Sequence, residues 1–105
     1  MSKKQLNRIK RMESYLDEAT LTVKELSRAL EKYEKIAKKY YKLESYYGSS
    51  DWRDDFEADE AGLIPTEIKR GVLSEDELYN LIIEHKELMT RMQRAVLRSS
   101  ERNDG

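Results

Sequence analysis

Apolar side chains recur along the first half of the chain with a seven-residue repeat. With Ile9 placed at position a, the a positions are Ile9, Leu16, Val23, Leu30 and Ala37. The d positions are Met12, Ala19, Leu26, Tyr33, Tyr40 and Tyr47. The outward b, c and f positions are nearly all polar or charged, as at Lys24, Arg28, Lys32, Lys35, Lys39 and Lys42. A seam that keeps phase this long predicts one amphipathic helix over about 4–47 with coiled-coil-like packing. The seam starts aliphatic and ends in three tyrosines, whose hydroxyls need partners where the rings are buried. Thr20, Thr22 and Val23 are its weakest helix formers. With no proline or glycine among them, the helix is expected to continue through Thr20.

After Tyr47 the pattern changes. Gly48, Gly62 and Gly71 each follow a plausible helical turn, where a left-handed residue commonly ends a helix. Ser49 or Ser50 can cap a short helix to about residue 61, opened by Asp51, Asp54 and Asp55. Trp52 and Phe56, four apart, share one face of it. Pro65 suits a first helical position, so "PTEIKR" is expected to add a turn or two. "LSEDEL" then carries a capping box, Ser74 with Glu77, inside a hydrophobic staple, Leu73 with Leu78. A second long helix is expected over about 75–98. Its apolar face runs from Leu78 through Ile82, His85 and Met89 to Val96. The tail 99–105 is expected to fray.

These elements make the fold all-α: a long helix, a short helical corner over 48–73, and a shorter antiparallel helix, in one domain over 1–98. Tyr46, Tyr47, Trp52 and Phe56 are expected to wedge the corner, with Ser74 and Glu77 fixing the next helix. A helix over 4–47 would be roughly 65 Å long, too long for a compact domain of this size, with a radius of gyration near ~13 Å. Folded back as a hairpin, the second helix would cover about half of the first, from about Val23 to Tyr47. The seam at Leu6, Ile9, Met12, Leu16 and Ala19 would stay bare. A bare apolar stripe points to a protein partner, most simply a second copy in a two-fold dimer with a four-helix core.

One further feature bears on identity. The block "YYGSSDWRDDFEADEAGLIPTEIKRGVLSEDELYNLI" resembles the signature of a family of small bacterial proteins classed as a domain of unknown function. The shared features are a YYGS-x-W-x-x-D-[FY]-E corner and a KRGVLSED segment, and the resemblance extends over about 8–92. It implies a bacterial, cytoplasmic, all-helical protein and brings with it no activity, substrate or cofactor.

Composition narrows the chemistry. The 105 residues include no cysteine and one histidine, which removes thiolate chemistry and a multi-histidine zinc site within one chain. No stretch has the roughly 18 apolar residues of a membrane span. The basic start "MSKKQLNRIKRMESYL" lacks the apolar core of a secretory signal. The expected location is therefore cytoplasmic.

Charge is 39% of the chain yet nets to −1. Residues 1–50 carry +5, 51–60 carry −5 and 61–105 carry −1. Adjacent blocks of opposite sign suit attraction within the molecule or between copies. The near-neutral total argues against nucleic-acid binding through the stripe Lys32, Lys35, Lys38, Lys39 and Lys42, which stays a further alternative.

The acidic corner offers oxygen ligands at Asp51, Asp54, Asp55 and Asp59, so a divalent-metal-dependent, hydrolase-like site is the enzymatic alternative. Against it, no EF-hand spacing is present and first-turn acids suit a helix N-terminus without any metal. Glu31/Glu34 and Glu84/Glu87 lie off the apolar faces, where a bundle-core metal could not reach them. His85 has no nucleophile placed near it in sequence. The residues favour a non-enzymatic module that needs no cofactor and binds itself or another protein. Contact is expected at Leu6, Ile9, Met12 and Leu16.

Overall fold

The computed structural model describes residues 1–104, with side chains to Arg102. It is all-α: helix α1 spans Lys3–Tyr47, α2 spans Ser50–Glu60 and α3 spans Glu75–Asp104, with a 3-10 turn at Gly71–Leu73. No strand occurs among the described residues. Contacts divide the chain into two units, Met1–Tyr40 and Tyr41–Gly105.

The first unit is helix alone. Ser2 opens it: its hydroxyl accepts from the Gln5 N–H at 3.1 Å, satisfying one of the free donors of a first turn. The helix passes Thr20, Thr22 and Val23 without a break. Every residue from Met1 to Lys32 is exposed. Burial sets in at Tyr33 and Ala37 and reaches its limit at Tyr40, which is 4% exposed. The covered part of the seam was expected to begin near Val23, yet Val23 and Leu26 are 64% and 63% exposed. The bare stripe is therefore longer than the helix lengths suggested and reaches Leu30.

In the second unit, α1 ends at Tyr47 and Ser49 turns the chain. Its hydroxyl donates to the Tyr46 carbonyl at 2.6 Å and accepts from the Trp52 N–H at 3.2 Å. One side chain thus closes α1 and caps α2. At the far end of α2, the Gly62 N–H bonds the Asp59 carbonyl and the Leu63 N–H bonds the Ala58 carbonyl, both at 3.0 Å. This is the Schellman pattern, with Gly62 left-handed at φ 71°. Among the described glycines only Gly62 takes that conformation, against the expectation for Gly48 and Gly71.

"PTEIKR" makes no helix. It is a single turn, closed by the Ile68 N–H on the Pro65 carbonyl at 3.1 Å. The glycine after it starts the 3-10 turn instead of ending a helix. A Cβ on Gly71 would lie 2.8 Å from a Glu77 carboxylate oxygen, so the glycine makes room for that side chain.

The capping box is half built. Ser74 Oγ accepts from the Glu77 N–H at 3.3 Å. The Ser74 N–H, expected to meet the Glu77 carboxylate, bonds the Gly71 carbonyl at 3.1 Å because the 3-10 turn supplies that acceptor first. The staple is complete, with Leu73 and Leu78 buried at 6% and 4% exposure. Helix α3 then continues past Arg98 through Ser99 and Ser100 to Asp104. Residues 99–104 of the tail expected to fray thus belong to the helix, and Gly105 lies outside the described residues.

Gly62→Ala should lower the unfolding free energy by about 1 kcal/mol, because a Cβ is strained at positive φ. Gly48→Ala, with negative φ and nothing within 4 Å of the added carbon, should stay within about 0.5 kcal/mol of the parent. Urea unfolding of the two variants checks this; equal losses would mean that the Gly62 turn is not formed.

Candidate functional site

Two features can carry a function: the aromatic and acidic corner, and the bare face of α1. The corner is built around Trp52. Its ring stacks on Phe56, with centroids 5.1 Å apart and planes at 21°, and meets Tyr47 edge-on at 5.1 Å and 67°. The indole N–H donates to the Val72 carbonyl at 2.9 Å. Trp52 therefore ties α2 to the 3-10 turn. Of the four residues expected to wedge the corner, Tyr47, Trp52 and Phe56 pack on one another. Where the end of α1 does meet α3, the pair is Tyr41 and His85, edge-on at 6.0 Å. This places His85 in a packing contact.

The acids of the corner are spread over different tasks. The Tyr46 hydroxyl donates to Asp55 Oδ2 at 2.5 Å. Loss of hydration pushes the phenol up to about 12, and the Asp55 hydrogen bond and the charges of Asp55 and Asp51 add to the shift. Asp59 accepts from Arg70 at 2.7 Å in an ion pair between α2 and the loop before the 3-10 turn. Asp51 and Asp54 are exposed on α2, where Asp51 complements the positive end of the helix. Among the described residues, no three His, Cys, Asp or Glu side chains come together as a metal site. The four aspartates singled out from sequence are thus not gathered: Asp55 is turned to Tyr46 and Asp59 to Arg70.

A shallow cleft of about 410 Å³ lies beside the 3-10 turn, lined by Leu43, Lys69, Val72, Glu77, Leu78 and Leu81. It holds one cation and one carboxylate beside four apolar side chains, with no nucleophile or histidine to act on a substrate.

The second feature is α1 itself. Leu6, Ile9, Met12 and Leu16 are all exposed, Leu16 at 58%. They lie on one face with Val23, Leu26 and Leu30, also exposed. Sequence periodicity identified this face. It could not identify Val72 as the acceptor for Trp52, nor the pairs Tyr46–Asp55 and Arg70–Asp59, because each depends on how the loops between helices close.

The arrangement defines an all-helical protein with a small structural corner and a long bare helix face. Residues 9–95 match the family described as a domain of unknown function, DUF4298, and the chain belongs to that family. No curated protein and no solved structure matches it. No helix is long and apolar enough to cross a membrane, among the described residues.

Two outcomes test the corner. Trp52→Ala should cost about 3 kcal/mol, since it removes a stacked ring and its hydrogen bond together. Trp52→Phe should cost less, and equal losses would make the Val72 bond the whole of its contribution. In an ultraviolet titration, Tyr46 should ionise near pH 12, above the usual value near 10. Because the folded value is raised, its stabilising effect is full below pH ~10 and fades as the pH rises through 12. Asp55→Asn should lower that midpoint, and an unchanged midpoint would remove Asp55 as a cause.

Proposed function

We propose that this chain is a non-enzymatic self-association module whose contact surface is the apolar face of α1. The observation that carries this reading is the amount of apolar helix left in water. The chain exposes 9558 Å², about half as much again as the ~6,200 Å² of a typical folded monomer of its 12.5 kDa mass. Part of that surface is the apolar stripe itself, with Leu16 at 58%, Val23 at 64% and Leu26 at 63% exposure. Leu6, Ile9, Met12 and Leu16 form the N-terminal half of the bare stripe and are the partner-binding residues.

The corner serves as scaffold in this reading. Its aromatic side chains pack on each other, and two of its four candidate aspartates are committed to Tyr46 and Arg70. A metal-dependent role would need those contacts to be given up. Melting temperatures in Mg²⁺, Mn²⁺ or Ca²⁺ should accordingly match those without. A rise that disappears when Asp51, Asp54, Asp55 and Asp59 are all changed to Asn would establish the metal site instead.

Light scattering over a wide concentration range tests self-association. The expected mass is about twice 12.5 kDa. Leu16→Glu should shift the equilibrium toward the single chain by about tenfold or more, since it places a carboxylate in the contact. A parent that keeps the mass of one chain at every concentration would overturn the reading and leave the stripe for a different protein.

A further inference from the structure

We infer that two copies pair through the first halves of their α1 helices in an antiparallel register, with Met12 of one copy level with Leu16 of the other. This rests on the self-association reading above and adds the orientation and register that it leaves open.

The argument starts from what the helix presents. From Lys3 to Glu25, α1 is unbroken and fully exposed. Among the described residues, the charged side chains from Lys3 to Glu25 form no ion pair. Its charges are sorted in blocks. Lys3, Lys4, Arg8, Lys10 and Arg11 come first, without a carboxylate among them. Glu13, Asp17, Glu18 and Glu25 follow, with Lys24 as the one cation. Most of these charges stand outside the edge of the seam, so each acts across water and their sum is what counts. A helix that pairs with its own copy must oppose the blocks in one of two ways.

In a parallel, in-register pair, like meets like. Lys10 faces Arg11 of the other copy, and Asp17 faces Glu18. The attractions Arg8–Glu13 and Lys24–Glu25 are set against those two repulsions and a third, Lys3 with Lys4. Reversing one copy changes the balance. An antiparallel seam requires a positions to oppose d positions, and Ile9 opposite Ala19 with Met12 opposite Leu16 does this.

On one flank of that seam, Lys10 lies level with Asp17 of the other copy. On the other flank, Arg8 and Arg11 bracket Glu18, and Lys4 meets Glu25. The two-fold axis passes at Ser14, so each of these pairs occurs twice. Two like pairs remain, Glu13 with its own copy at the axis and Lys3 with Lys24.

The register is specified as well as the direction. A slip of one heptad one way sets Asp17 against Asp17 and Glu18 against Glu18. A slip the other way sets Lys10 against Lys10 and Arg11 against Arg11. The charge order along α1 therefore selects one antiparallel overlap, from Lys3 to Glu25, about 33 Å long at 1.5 Å per residue. Leu6, Ile9, Met12, Leu16 and Ala19 are all within it.

The chain has no cysteine, so disulfide trapping reads the register directly. Met12→Cys and Leu16→Cys are made in separate chains of different tag length, mixed, and equilibrated in a glutathione buffer. Both positions are exposed, so neither substitution disturbs the core. The expected product is the mixed disulfide that joins the Met12→Cys chain to the Leu16→Cys chain, with the two homodisulfides below about a tenth of the total. In this register the two copies of either position are offset by about 6 Å along the axis, on top of the separation between helices.

Dominant homodisulfides would overturn the proposal in favour of a parallel pair. A doubled mass by light scattering with no disulfide of either kind would place self-association on another surface. A single-chain mass for the parent would remove the self-association reading itself, which separates that failure from a failure of the register.

Discussion

The second unit depends on the short turn Gly71–Leu73, because its elements meet there. The Val72 carbonyl takes the Trp52 indole N–H from α2. Leu73 is buried with Leu78 at the start of α3. The Gly71 carbonyl takes the Ser74 N–H, and the missing Cβ of Gly71 leaves space for the Glu77 carboxylate. Three consecutive residues thus contribute a hydrogen-bond acceptor to α2, an apolar anchor to α3, and both an acceptor and a vacant space to the N-terminus of α3. Backbone groups that would otherwise lose their partners on leaving water are paired in the process.

Outside that turn little is fully removed from water. Among the described residues, the buried apolar side chains are Tyr40, Leu73 and Leu78. Burial of a large side chain stabilises by about 1.5–3 kcal/mol, whereas ordering a residue costs about 1–2 kcal/mol in backbone entropy. A core this small cannot by itself hold a helix as long as α1. Isolated helices in water are marginal unless tertiary packing covers an apolar face. The exposed half of α1 includes Thr20, Thr22 and Val23, which lower propensity further. Contact with a second helix would supply burial of that kind, so the proposed pairing of this face would also stabilise α1.

How much was legible in the sequence follows the range of each interaction. Heptad periodicity located α1 within a residue, since every fourth or third side chain reports the same face. A cap at Ser49 or Ser50, the cap at Ser74 and the Leu73–Leu78 staple were legible because caps act over three or four positions. The extent of cover on the seam was not. It was inferred from helix lengths, and the burial that begins at Tyr33 instead of Val23 depends on tertiary contacts that no heptad count contains. "PTEIKR" misled because Pro65 fits both a first helical position and a tight turn. The end of α3 was placed too early because Ser99 and Ser100 are only weak helix formers, and a weak preference does not stop a helix already under way. Of the candidate site, the apolar stripe was legible as a stripe. The commitment of Asp55 to Tyr46 and Asp59 to Arg70 was not, since those partners lie on other elements.

The charge blocks of the chain look different once these pairs are known. The net +5 of residues 1–50 and the −5 of 51–60 suggested that the lysines of α1 and the acids of the corner attract each other. Two of those acids instead have local partners, Tyr46 on the last turn of α1 and Arg70 in the loop. The charges from Lys3 to Glu25 form no ion pair among the described residues. An apolar seam gives affinity but tolerates a slip of one heptad, because Leu, Ile, Met and Val pack against one another with little discrimination. Charges on the flanks of a seam make the wrong registers repulsive, and so specify the pairing that packing alone would leave degenerate. Five cations between Lys3 and Arg11, followed from Glu13 to Glu25 by four carboxylates and the single cation Lys24, are the order a helix would need if it is to recognise its own reverse.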